Sequence, residues 1–349
     1  MKRLHTTDPS DNSAMTRPFT VNPEQDHLLL RIVVVLALLL IGLPLIANAY
    51  WVKILTSAFI CAIAASGVGL LYRQLGLVCL SQYALMGVGG WITLRIYHAW
   101  AWPFEACILA AAMGGSVVGM LAGLPALRLR GIYLALATLM MAGAFQIFIA
   151  AINFPDGGPG LSGRAIDGVR LIMSRPAWAE SDVAFLRYVI ACLALALCLI
   201  EVHRRSKVGR TWALIRKGDT TALSAGVNIM FYQTWAFGLS GLLAGSAGGL
   251  LASAIGRLDG RAFTASESIL MFALTIVAGV YNWFGALIAG LLLRAFPALL
   301  SDLGVSAYVA MMFFGVALLH ALITAPRGIA GQIASTTAAI RHYFRQRKI

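Results

Sequence analysis

Charge is scarce in this chain, and negative charge scarcer still. Only 12% of its 349 residues are charged, with 14 Asp and Glu against 27 Lys and Arg. A soluble domain carries about 25% charged and about 45–50% apolar residues. The 60% apolar content here excludes that class. Cysteine is sparse and unpaired in pattern. Cys61, Cys79, Cys107, Cys192 and Cys198 all fall inside apolar stretches, so no disulfide framework and no metal site is expected. Enzyme signatures are missing too. There is no Gly-x4-Gly-Lys-Ser/Thr phosphate loop and no His-Glu-x-x-His. The six histidines are scattered, and no Ser/His/Asp set can be drawn. No catalytic residue is proposed. Carboxylates clearly in the middle of an apolar run are absent as well, which argues against a proton-driven carrier.

What is present is apolar length. Ten segments approach the ~20 residues needed to cross a bilayer: about 31–48, 50–71, 76–97, 101–124, 131–153, 183–201, 233–256, 267–282, 284–300 and 307–325. The expected fold is therefore an all-α polytopic transmembrane bundle of about ten spans. Segments eight and nine are short and joined by Tyr281-Asn282-Trp283, so merging them gives a nine-span alternative. Residues 1–30 form a polar N-terminal tail. Ala47-Asn48-Ala49 resembles a signal-peptidase site, but a polar, acid-containing stretch of this length suits an uncleaved first span better.

Orientation follows from the basic residues. The formal charge of +13 sits in short segments beside apolar runs rather than in a basic domain, so it points to a positive-inside bias and not to nucleic acid. Placing the loop after the sixth segment inside also puts Arg73, Arg128, Arg130 and the basic tail 327–349 inside. The opposite side receives 154–182, where acids outnumber bases. Both termini are then cytoplasmic. The transmembrane domain covers 31–326, with a cytoplasmic loop at 202–232.

That loop is the most informative feature. Arg204, Arg205, Lys207, Arg210, Arg216 and Lys217 face one acid, Asp219, and glycines stand at Gly209 and Gly226. A short helix set off by those glycines, with Ala222 facing outward, would seat in a groove of another protein. Arg210, Arg216 and Lys217 would pair with that partner's acids.

Other candidates are polar residues within spans. Ser81, Gln82, Thr138, Gln146 and Asn153 should face the bundle interior or a solute route, because unpaired polar groups in lipid are costly. Arg294 lies toward the outer part of its span and is read as snorkelling to the interface or pairing structurally, ahead of a transport role. Gly115, Gly119 and Gly123 recur every four residues, as do Gly241, Gly245 and Gly249. They read as close-packing faces.

Three stretches resemble a known family. The first runs from Gly69 to Ser81 and Gln82, then Met86-Gly87-Val88-Gly89-Gly90. The second is Gly131-Ile132-Tyr133 to Thr138-Leu139, with Asp156-Gly157-Gly158-Pro159-Gly160-Leu161 downstream. The third is Gly209-Arg210 through Arg216 and Ala222 to Gly226 and Asn228. Together they resemble the permease subunits of ATP-binding-cassette importers for branched-chain amino acids, the LivM-like branch, over roughly residues 55–330. Asp156 stands where the family has Thr, and Asp219 lies near the position of its coupling-segment Glu.

The resemblance implies a permease of the bacterial inner membrane passing a small polar organic solute, a branched-chain or other amino acid first. Urea and amides are the alternatives within the family. It implies a second permease subunit, two cytoplasmic ATPase subunits carrying ATP and Mg, and an extracytoplasmic solute-binding protein that would dock at Asp156, Gly157 and Gly158. This chain itself would hold no cofactor. Outside the family, a secondary carrier and a cargo-free membrane anchor are the rival readings.

Overall fold

The computed structural model describes residues 26–125, 128–129, 131–152, 165–166, 169–170, 173–256, 258, 262–306, and positions 309, 312, 315–316, 319, 328–333 and 336. Five helices come first: α1 (Asp26–Ile46), α2 (Ala49–Leu75), α3 (Gln82–Trp100), α4 (Phe104–Gly123) and α5 (Ile132–Ile152). A two-stranded antiparallel pair, β1 (Ala165–Ile166) and β2 (Val169–Arg170), precedes α6 (Asp182–Arg205). Then come α7 (Lys207–Lys217), α8 (Asp219–Ser224), α9 (Ile229–Ile255) and α10 (Ala265–Gly279). The next helix begins as α11 (Trp283–Gly290), passes through a π-helical turn at Leu291–Ala295 and ends as α12 (Phe296–Asp302).

Among the described residues, six helices are long and apolar enough to cross a membrane: α2, α4, α5, α6, α9 and the continuous α11–α12 rod. The all-α polytopic class expected from composition is met. The expected ten segments are met only in part. The stretch 76–97 starts as extended chain, since α3 begins at Gln82, and α10 has only 15 residues. Segments eight and nine do not merge, because a turn at 280–282 separates α10 from α11. The tenth segment falls largely outside the described residues, as do residues 1–25 of the N-terminal tail and 337–349 of the C-terminal one.

Helix α9 is the axis of the bundle. It packs on α2, α3 and α4, and its glycines set the approach. A Cβ at Gly241 would run into the Gly115 carbonyl, and one at Gly245 into the Ala111 carbonyl. One at Gly248 would strike the Met86 carbonyl of α3. Lipid tails are as apolar as leucine, so helix association in a membrane relies on such close van der Waals contact. The two glycine faces expected from the four-residue repeats are therefore the α4–α9 seam.

One end of the bundle is basic and the other mixed. At the mixed end Arg175 donates to Asp182 Oδ1 at 2.7 Å and to the Ala254 carbonyl at 3.1 Å, and lies over the Phe185 ring. Trp178 Nε1 donates to Glu105 Oε1 at 3.2 Å.

Candidate functional site

Two places concentrate the polar chemistry. The first is the basic end, where α6 turns into α7 and α8. Ser206 serves both helices. Its backbone N–H closes α6 on the Val202 and His203 carbonyls, and its hydroxyl oxygen accepts from the Val208 N–H at 3.2 Å. This turn, and not Gly209, starts α7. Gly209 lies in the first turn of α7, where a Cβ would overlap the Arg204 carbonyl. Its smallness lets α7 fold back against the end of α6.

Beside the turn, Glu201 is buried and holds two arginines. Arg204 donates to it twice, at 2.7 and 2.6 Å, and Arg205 Nε donates at 2.7 Å. Sequence reasoning passed over Glu201. Its signal was the spacing of Glu201, Arg204 and Arg205, which places both bases one turn from the acid.

Helix α7 is pinned to the bundle floor. Trp212 is fully buried, and its Nε1 donates to the Tyr232 carbonyl of α9 at 2.9 Å. Arg216 donates to the Arg73 carbonyl at the end of α2 and to the Tyr281 hydroxyl at 3.3 Å, beside the Tyr281 ring. It is thus engaged within the chain, while Arg210 and Lys217 are exposed.

Gly218 breaks the segment into α7 and α8, and Asp219 opens α8 half-buried. The C-terminus of α8 is a Schellman turn. Val227 N–H donates to the Ala222 carbonyl, and Gly226 N–H to that of Leu223, with Gly226 at φ +71°. That left-handed position favours glycine.

Ala222 is the clear correction. It was expected to face outward, but it is fully buried in a cluster with Trp212, Ile215, Ala236 and Phe237. In a two-turn helix one face must close the floor, and the apolar small residue takes it. Leu223, 62% exposed, is the side chain that α8 presents outward.

The second place is a break in the middle of the bundle. Helix α2 ends at Gly76 (φ +72°), and residues 77–81 run as non-helical chain before α3 starts at Gln82. Gln82 is fully buried and packs at the level of Ala64, roughly 16 Å back along α2 at about 1.5 Å per residue. The chain therefore re-enters the bundle before α3 begins. Non-helical backbone at that depth needs internal partners, and it has them. Leu80 N–H donates to Thr138 Oγ1 of α5 at 2.9 Å, and Tyr83 N–H to Ser268 Oγ of α10 at 3.2 Å. Gln82 Nε2 donates to the carbonyls of Ala64 and Ser240, both at 3.1 Å, and Ser240 Oγ donates back to Gln82 Oε1 at 3.0 Å. Ser81, also fully buried, lies 3.2 Å from the Cys79 sulfur.

Ser81, Gln82 and Thr138 are thus brought together, chiefly as ties between α2, α3, α5 and α9. Gln146 is half-buried two turns further along α5. Asn153, Asp156, Gly157 and Gly158 lie outside the described residues. Ser240, Ser268 and Tyr83 were not anticipated, because their partners are distant in sequence. Arg294 donates to the Tyr83 hydroxyl, so it pairs inside the bundle and does not reach out to the interface.

Replacing Gln82 by leucine should cost about 1–2 kcal/mol, since several interhelical bonds are lost but each is modest in a membrane. The melting temperature of the solubilised protein would fall by several degrees. An unchanged melt would remove the tie from the account.

These features define a class: a multi-pass membrane protein with a re-entrant break at mid-depth and a short helical segment docked on its basic end. The family can now be given. The chain belongs to the branched-chain amino acid transport system / permease component family, whose model matches residues 50–322. It is 27% identical over 315 residues to the high-affinity branched-chain amino acid transport system permease protein LivM of Escherichia coli strain K12, covering 85% of this chain and 73% of that protein. The LivM of Salmonella typhimurium strain LT2 is also 27% identical over 315 residues, covering 84% of this chain and 73% of that protein. No solved structure matches the chain. The resemblance seen in the three sequence stretches is borne out. The chain is a permease component of a transport system.

Proposed function

We propose that this chain is one of two permease subunits of an ATP-driven importer in the bacterial inner membrane, and that its cargo is a branched-chain amino acid. Family membership over 50–322 carries the reading. Both curated relatives bear names of branched-chain amino acid permeases. Two cytoplasmic ATPase subunits would bind and hydrolyse ATP with Mg, and an extracytoplasmic binding protein would deliver the solute. The chain would keep both termini and the 202–232 segment in the cytoplasm.

The lever would be α7–α8. Arg210, Lys217 and Leu223 would meet the ATPase, while Trp212, Ala222, Arg216 and Gly209 lock the lever to α2, α6, α9 and Tyr281. A push on α7 is then passed to helices that flank the re-entrant break. Alternating access requires two packings of the bundle with different affinity for cargo on the two sides.

The test is uptake of labelled leucine into proteoliposomes holding the chain with its partner subunits and binding protein. Uptake is expected only with ATP and all subunits; uptake by the chain alone would sink the reading. Charge reversal at Arg210 sharpens it. Arg210→Glu should leave the melting temperature unchanged, because the side chain is exposed. It should reduce co-purification of the ATPase roughly tenfold, as expected for a like-charge contact at a docking surface. Normal co-purification and uptake would take Arg210 out of the contact.

A further inference from the structure

Arg294 is the cation least explained by the fold. It sits in the π-helical turn Leu291–Ala295, about one turn beyond Gly290, which packs against Ala58 and Ala62 of α2. Its Nη2 donates to Tyr83, the second residue of α3, while its Nε is buried with no hydrogen-bond partner among the described residues. Among the described residues, no carboxylate forms an ion pair with it. A guanidinium at mid-bundle depth is costly without an anion, and π-turns often mark functional positions.

Around it lie the other groups that an apolar amino acid needs. Tyr83 N–H is bound to Ser268, and Glu267 precedes Ser268 in the first turn of α10. Glu267 is half-buried and makes no ion pair among the described residues. The Tyr83 and Phe263 rings are 5.4 Å apart, and Phe263 and Phe145 both press on Gly87, one turn along α3. A base, a phenol and an aromatic wall thus meet beside the helix break, and Glu267 is the residue next to Ser268, which binds the same turn of α3.

We infer that Arg294 seats the carboxylate of the cargo amino acid during passage, with Glu267 receiving its ammonium and Phe145 and Phe263 its apolar side chain. This rests on the importer reading and adds the site and its polarity. A carboxylate accepts well from the unused Nε together with Nη2, the paired geometry that arginine favours. The Tyr83 hydroxyl holds the guanidinium in place, as a positioning residue. Passing cargo supplies the anion that the described residues do not.

The experiment uses the complete importer in proteoliposomes with labelled leucine. Arg294→Gln should cut uptake about 10- to 100-fold, the worth of charge-assisted hydrogen bonds. Assembly with the partner subunits should stay normal, and Arg294→Lys should recover part of the loss. Full uptake by Arg294→Gln would overturn the inference and leave the importer reading intact. No leucine uptake by the unaltered importer would overturn both.

Should Arg294→Gln fail to assemble, the unaltered assembly in nanodiscs decides. Unlabelled leucine should displace labelled leucine there, and leucinamide, which lacks the carboxylate, should not. Equal displacement by the amide would overturn the inference.

Discussion

Replacing Gly245 by leucine is expected to abolish recovery of folded protein. Helix α9 is the axis of the bundle, and Gly245 touches two neighbours at once. A Cβ there would overlap the Ala111 carbonyl of α4 and lie 3.0 Å from Gly115 Cα, while Gly89 of α3 presses on the same residue. The obstructing atoms are backbone, which cannot rotate away as a side chain would. Overpacking of a tight interior costs about 1–3 kcal/mol when side chains can adjust. With rigid backbone on two sides the cost should be at least about 3 kcal/mol, a large share of a typical stability of about 5–15 kcal/mol. Gly143→Ala is the control, since nothing lies within 4 Å of a Cβ at that position. Size-exclusion profiles of the two variants in detergent would read the difference. A monodisperse Gly245→Leu protein would show that the helices have room to part.

The second large effect is expected at Glu201. Its side chain is 7% exposed and lies between Arg204 and Arg205, which are 24% and 30% exposed. Removing one member of a buried pair costs about 3–5 kcal/mol because the partner charge is stranded. Here the arginines reach solvent, so screening reduces the loss to about 2 kcal/mol for Glu201→Ala. The damage should be local as well. The acid fixes the last turn of α6, from which the Ser206 turn and α7 start. Hydrogen exchange should accelerate across residues 204–218, together with a lower melting temperature. The double variant Glu201→Ala/Arg204→Ala should regain part of the loss, since it no longer strands that arginine. Unchanged exchange at the α6–α7 turn would mean that Ser206 and Trp212 hold α7 alone.

The two variants also separate the parts of the molecule. Gly245→Leu acts on the packing that makes a bundle at all. Glu201→Ala acts on the junction through which force would enter it. Arg210→Glu should change neither, and alter only assembly with a partner.

How much of this was legible beforehand differs from place to place. The polytopic helical class followed from composition, and the basic end from the placement of Lys and Arg beside apolar runs. The glycine seam followed from a four-residue period, because a helix brings such residues to one face. The family was legible in three short stretches. Span limits were less so. Residues 76–81 are as apolar as a helix, and only their partners Thr138, Ala64 and Ser240 show that the chain re-enters the bundle there.

Within residues 202–232, local pattern placed a short basic helix but not its faces. Ala222 and Arg216 look outward-facing on a basic loop, yet one closes the floor and the other ties α2 to Tyr281. Gly226 was read correctly as a boundary, because a Schellman turn leaves a local trace. Gly209 was not, since its smallness serves a contact with Arg204.

Periodicity and charge, which act over one or two helical turns, are written in the chain itself: they decided that it lives in a membrane, which end is basic and where the short basic helix lies. Which polar groups meet was left to the tertiary fold. Gln82 finds Ser240 across 158 positions, and Arg294 finds Tyr83 across 211. Such pairings depend on how whole helices stack against one another, and no local propensity encodes that.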